Sequence, residues 1–87
     1  MVTIKNDKLT IEISELGAEL QSIKDTSGRE WLWNGDPKFW KGRAPILFPI
    51  CGGLKEDRYI YKGKSYTLAK HGFAKLSVFE VVENSGD

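Results

Sequence analysis

The stretch Leu9-Thr10-Ile11-Glu12-Ile13-Ser14 alternates apolar and polar side chains without a break. A period of two puts Leu9, Ile11 and Ile13 on one face of an extended chain and Thr10, Glu12 and Ser14 on the other, the pattern of a half-buried strand. Residues 2–5 alternate in the same way, with Val2 and Ile4 facing inward. Asn6-Asp7 joins the two runs, and both residue types tolerate the left-handed backbone of a tight turn. The first segment therefore predicts a β-hairpin.

Residues 14–25, SELGAELQSIKD, fit two periods. Leu16, Leu20 and Ile23 have helical spacing, and Ser14 suits an N-cap. Gly17 inside a helix would cost about 1 kcal/mol relative to Ala. Ala18, Leu20 and Ser22 equally fit a strand that follows a bend at Gly17. Residues 25–28, DTSG, signal a turn, and REWLW (29–33) reads as a short aromatic strand. NGDPKFW (34–40) is a loop in which Pro37 can open a single helical turn. In GRAPILFPICGG (42–53), Pro45 and Pro49 each remove a backbone donor, which excludes a central regular strand throughout. RYIYKGKSYTL (58–68) predicts a second hairpin, turning near Lys62-Gly63. LSVFEVV (76–82) reads as a last strand, apolar on both faces, which expects cover on both sides. Six or more short strands separated by turns predict an all-β, antiparallel architecture. The 87 residues leave little chain to cover that last strand, so the sequence reads as an N-terminal piece of a larger β-protein.

Composition narrows the function. Lys+Arg number 13 against 12 for Asp+Glu, which argues against nucleic acid and anionic membrane as partners. The longest apolar run, residues 44–51, contains two prolines and is far shorter than the roughly 20 residues of a membrane-spanning helix. The polar first residues do not read as a signal peptide. A single cysteine, Cys51, excludes an internal disulfide and a multi-cysteine zinc site. These features fit a cytoplasmic globular protein.

Few residues suit chemistry. His71, in KHGFAK (70–75), is the one histidine, and histidine is the natural acid–base group near neutral pH. A lone histidine is more often structural. Gly72 beside it admits close approach of a backbone or ligand. Lys75, four residues on, is near enough to share an anion or polyol with it across a bend. Arg43 can donate two bonds to vicinal hydroxyls or a phosphate; the competing reading, a surface ion pair with Asp36 or Glu30, is the commoner arrangement. Trp31, Trp33, Phe39, Trp40 and Phe48 crowd one stretch. Aromatics of this kind mostly build cores, and Trp40, in a loop, is the exception that suits stacking on a sugar ring. Cys51 reads as a small buried hydrophobe. No phosphate-loop or dinucleotide motif is present.

Three stretches together resemble the aldose 1-epimerase (galactose mutarotase-like) superfamily, in particular its lacX-like group. They are WNGDPKFWKGRAPILFPICGG (33–53), YIYKGKSYTLAKHGFAK (59–75) and ISELGAELQSIKD (13–25). The resemblance favours strand over helix for 14–25. It implies the N-terminal portion of a β-sandwich roughly three times this length, a size compatible with one β domain. It implies an isomerase that interconverts the α and β anomers of a free aldohexose or hexose phosphate, with no metal or organic cofactor. A base takes the proton of the anomeric hydroxyl, an acid protonates the ring oxygen, and the ring opens and recloses on the other face. By the same resemblance, Arg43 matches a substrate-binding arginine. His71 matches the first active-site histidine, near the reacting end of the sugar. Lys75 stands where the family usually has arginine, which weakens bidentate phosphate binding. The family's second histidine, its aspartate and its glutamate base lie downstream and have no counterpart in residues 1–87. The chain alone is therefore expected to be inactive. The alternative reading is a non-catalytic carbohydrate-binding β-domain.

Overall fold

A computed structural model describes residues 1–87. Strands β1 (Val2–Lys5), β2 (Leu9–Ile13) and β3 (Leu20–Asp25) form an antiparallel sheet in that order, and β4 (Arg58–Tyr61) pairs with β5 (Lys64–Thr67) in a separate hairpin. Short 3-10 turns occupy Lys55–Asp57 and Ala74–Leu76. The fold is all-β and antiparallel, as the alternation predicts.

The first hairpin turns where expected. The Asn6 side-chain oxygen accepts the N–H groups of Lys8 and Leu9 at 2.8 and 2.9 Å, which fixes the turn. Register places Ile4, Ile11 and Ile23 across from one another, and Val2, Ile13 and Leu20 beside them. Cross-strand apolar pairs of this kind stabilise a sheet by about 0.2–1 kcal/mol each.

Residues 14–19 are a turn and not a helix. Gly17 and Ala18 both take left-handed backbone, with φ of 72° and 48°, and the Ser14 N–H donates to the Glu19 carbonyl at 2.8 Å. The chain bends at Gly17 and enters β3 at Leu20.

Two predicted strands are absent. Residues 29–33 make a single bridge, Lys24 to Glu30. The reason is local. The outward N–H of Ile23, a donor a ladder would use, goes instead to the Glu30 carboxylate at 2.7 Å, and Ser22 Oγ donates to the same group. Those bonds hold the Glu30 carboxyl below its ordinary range, Ser22 first and Ile23 next. Asp25 ties the same turn through Ser27 Oγ, the Trp31 indole and the Arg29 N–H. Chiefly the Ser27 and then the Trp31 bond lower its carboxyl from 3.8 to about 2.

Residues 76–82 likewise form no strand. Gly17 donates to Ser77, Phe79 donates to Glu15, and Leu16 bridges Val78, but the left-handed pair at 17–18 ends the partnership there. Val78 is 80% exposed and Val82 91%.

Residues 41–53 run without a ladder, as their prolines require. This strap meets residues 71–74 through Phe48, whose carbonyl accepts the N–H groups of Phe73 and Ala74 at 3.0 and 3.2 Å. Gly72 is buried against that carbonyl, and a β-carbon there would overlap it.

The assembly is thin, 54 × 34 × 16 Å, with a radius of gyration of 16.6 Å where about 12 Å is typical of a compact domain of this length. Four residues are buried; they are Gly17, Ser22, Gly72 and Ala74. The aromatic cluster is exposed throughout, against the expectation that most of it forms core. No layer packs over it in these residues.

Gly72 and Gly63 both have φ near 70°, yet nothing lies within 4 Å of a β-carbon at Gly63. Gly63→Ala should cost about 1 kcal/mol, from backbone strain alone. Gly72→Ala should cost about 3 kcal/mol or more, since the Phe48 backbone must also move. Urea unfolding of the two variants checks the difference; equal losses would contradict it.

Candidate functional site

Arg43 is held by β3 and by the turn that precedes it. One oxygen of the Glu19 carboxylate, Oε1, accepts the backbone N–H groups of Arg43 and Ala44 at 2.9 and 3.0 Å. The guanidinium Nη1 donates to the Gln21 carbonyl at 2.8 Å. The ion pair expected with Asp36 or Glu30 does not form. Asp36 caps its own turn by accepting the Lys38 N–H, and Glu30 is engaged by Ser22 and Ile23. The one salt bridge joins the Met1 amine to Glu15 at 2.9 Å. Nε and Nη2 of Arg43 keep their donors, and an arginine so fixed can present them to two oxygens of one ligand.

Trp40 stands next to it. Trp33 Nε1 donates to the Trp40 carbonyl at 2.7 Å, and Trp33 meets Phe39 edge to face at 6.3 Å. The Trp40 ring lies against Gly42, where an added β-carbon would sit 2.7 Å from the indole. Gly42 thus lets the ring fold back onto the backbone. Trp40 remains 53% exposed, enough open aromatic surface to stack on an apolar ring face.

His71 has φ of 70°, left-handed and rare for a residue with a side chain. The conformation is held from both ends. Its N–H donates to the Gly52 carbonyl at 2.9 Å, and its Nδ1 lies 2.6 Å from the Cys51 carbonyl. A carbonyl only accepts, so Nδ1 carries the hydrogen. In the neutral ring Nε2 then holds the lone pair and can accept from a ligand hydroxyl.

Cys51 is exposed, not buried. It sits in the open strap, where no layer covers it, and its carbonyl is what the site uses. The contributions of Glu19, Gln21 and Cys51 escape a reading of side-chain motifs. Two of them are backbone carbonyls, and the third is a carboxylate more than twenty residues from its partners.

Lys75 lies in the 3-10 turn Ala74–Leu76, half-buried and without an ion-pair partner. Its backbone rests on Gly17, where a β-carbon would come 2.8 Å from the Lys75 carbonyl.

The structure thus lays Trp40 on Gly42, next to Arg43 in the chain, and joins the Arg43 strap to the His71 segment through Phe48 and Cys51. Lys75 rests by its backbone on the 14–19 turn, and no hydrogen bond connects it to the others. None of the four cavities is lined by these residues. The nearest, about 380 Å³, is bounded by Gly72, Phe73 and Leu76 among others. In residues 1–87 the candidate site is an open surface.

A family model for aldose 1-epimerase matches residues 1–87. The chain belongs to the aldose 1-epimerase family. Two LacX proteins of Lactococcus lactis subsp. lactis, plasmid and chromosomal, are each 46% identical to it over 92 aligned positions, covering 97% of this chain and 31% of theirs. The chain therefore spans about a third of the length of the curated relatives it matches. A galactose mutarotase related enzyme from Lactobacillus acidophilus superposes with a TM-score of 0.92 at 45% identity, over 98% of this chain and 29% of that one. A galactose mutarotase-like protein from Lactobacillus casei gives 0.93 at 42%, over 99% and 30%. This aldose 1-epimerase family chain thus keeps its relatives' backbone across five strands and the strap between them.

The hydrogen on Nδ1 is directly measurable. Long-range ¹⁵N–¹H correlation of neutral His71 should show a protonated Nδ1 and an unprotonated Nε2. The reverse pattern would contradict the Cys51 bond.

Proposed function

We propose that the protein carrying this chain is a mutarotase, interconverting the α and β anomers of an aldohexose or hexose phosphate, and that residues 1–87 supply one wall of its sugar pocket. The observation that carries this reading is the match to mutarotase-related structures at more than 40% identity along nearly the whole chain.

Each candidate residue has a role in it. His71 Nε2 accepts a hydrogen bond from the sugar near the reacting end. Arg43 donates from Nε and Nη2 to sugar oxygens. Trp40 lies against the C–H face of the ring. Lys75 supplies a point charge to a hydroxyl or a phosphate, a weaker and less directional contact than arginine would make.

The reaction moves one proton off the anomeric hydroxyl and one onto the ring oxygen. The bond from the anomeric carbon to the ring oxygen breaks, the aldehyde turns, and the ring recloses. A positioned acid or base typically contributes 10²–10⁴-fold. No second histidine is available in residues 1–87, so we assign the proton transfers to groups elsewhere in the protein and expect this chain alone to be inactive.

The same reading makes residues 1–87 the N-terminal part of a larger mutarotase-like β-sandwich. Supporting it, the chain exposes 6941 Å² where a folded chain of this size exposes about 5,200 Å². We place the protein in the cytoplasm; no helix is long and apolar enough to cross a membrane.

Polarimetry of the full-length protein on freshly dissolved α-glucose, α-galactose and their phosphates tests the proposal. Wild type should accelerate anomer exchange. His71→Asn keeps a donor for the Cys51 carbonyl but removes Nε2, and should lower kcat/KM about 10-fold, the scale of one lost hydrogen bond. A wild type no faster than buffer on every sugar would overturn the reading. Sugar binding without exchange would favour a non-catalytic carbohydrate-binding domain.

A further inference from the structure

We propose that Glu19 is a positioning residue for the sugar site, acting through Arg43. The inference rests on the reading of Arg43 as a sugar-binding residue and adds to it the group that sets its place.

No backbone–backbone hydrogen bond involves residues 41–47. Across that span three hydrogen bonds hold the chain. Two run from the Arg43 and Ala44 N–H groups to Glu19 Oε1, and one from Arg43 Nη1 to the Gln21 carbonyl. The two that hold the main chain both end on the same Glu19 oxygen. The Glu19 carboxylate is therefore the main constraint on where the Arg43 backbone lies.

Glu19 is well placed for this because its own backbone is fixed. Its carbonyl accepts the Ser14 N–H at 2.8 Å across the left-handed turn at Gly17 and Ala18. That turn is also bound to the segment after His71. Gly17 donates to the Ser77 carbonyl at 2.7 Å, and its α-carbon lies under the Lys75 backbone. One turn thus carries the anchor for Arg43 on one side and bears on the His71–Lys75 segment on the other. Gly35 completes the socket, since a β-carbon there would come 2.9 Å from Arg43 Nε. Nη1 is tied to the Gln21 carbonyl, and Gly35 lies beside Nε.

A merely structural anchor and a positioning residue differ in what they move. Loss of an anchor lowers the melting temperature. Loss of a positioning group changes ligand affinity in molecules that remain folded, and does so only while Arg43 is present. A double-mutant cycle separates the two.

The variants are Glu19→Ala, Glu19→Gln, Arg43→Ala and the Glu19→Ala/Arg43→Ala pair, made in the full-length protein. Polarimetry gives kcat and KM, calorimetry with the same sugar gives Kd, and thermal melts give the folded fraction. Glu19→Ala should raise KM and Kd about 10- to 100-fold with kcat little changed, the signature of a lost ground-state contact. Glu19→Gln keeps an acceptor oxygen and should restore most of the affinity. With Arg43 already alanine, Glu19→Ala should cost less than about twofold. If Glu19→Ala does not fold, Glu19→Asp, one methylene short of both N–H groups, takes its place in the cycle. Additive losses, or an unchanged KM and Kd in folded Glu19→Ala, would overturn the role of Glu19 and leave the mutarotase reading standing. A wild type that neither exchanges anomers nor binds sugar would overturn both. Binding without exchange would remove the mutarotase reading while the cycle in Kd still decides Glu19.

Discussion

Gly72 and the Phe48 backbone meet with no room for a side chain between them. That contact sets the strap of residues 41–53 against the segment that carries His71. The strap of residues 41–53 has two prolines and no ladder, so nothing in ordinary sheet pairing tells it where to lie. The Phe48 carbonyl, accepting from both Phe73 and Ala74, ties it to the segment that follows β5. With Phe48 fixed, Cys51 and Gly52 fall against His71 and force its backbone into the left-handed region. Conformations of this kind cost of order 1–3 kcal/mol and persist where neighbours over-determine them. Here two carbonyls do so, and the tautomer of the imidazole is set by the same geometry.

What sequence patterns convey is local. The hairpins at 2–13 and 58–67 were legible because alternation and turn residues sit within a dozen positions of each other. Residues 29–33 and 76–82 have strand-like composition but each pairs with its neighbour through a single bridge only. In the first case Glu30 and Asp25 take the free donors; in the second the left-handed turn at 17–18 cuts the pairing short. Neither effect shows in hydrophobic periodicity, because both are hydrogen bonds made by particular side chains or forced by a single bend. Arg43 and His71 stood out as residue types, and the family resemblance supplied their proposed roles. Their partners did not stand out. A backbone carbonyl has no letter of its own, so Gln21 and Cys51 gave no signal. Glu19 looked like one acidic residue among 12.

The thinness of these residues bears on how the site would work. A single sheet layer cannot exclude water from one face, and Arg43, Trp40 and His71 lie on open surface in residues 1–87. Hydrogen bonds and charges in such a setting are weak compared with those in a closed pocket. The apolar residues left exposed at Val78, Val82, Ile60 and Leu76 mark where cover is needed, and burying them contributes about 25 cal/mol per Å². Under the proposed reading the same covering layer that stabilises the sheet also closes the sugar site. Stability and function would then depend on one interface, while the fixed positions of Arg43 and His71 are already built into this part of the chain.

Whether Arg43 and His71 address one sugar is decided by a crystal structure of the full-length protein soaked with galactose or glucose. One sugar should lie with His71 Nε2 and the Arg43 guanidinium both within hydrogen-bond distance of its oxygens, and His71 Nδ1 still on the Cys51 carbonyl. A sugar bound where neither residue reaches it, or bound to one of them with the other turned away, would refute a shared site.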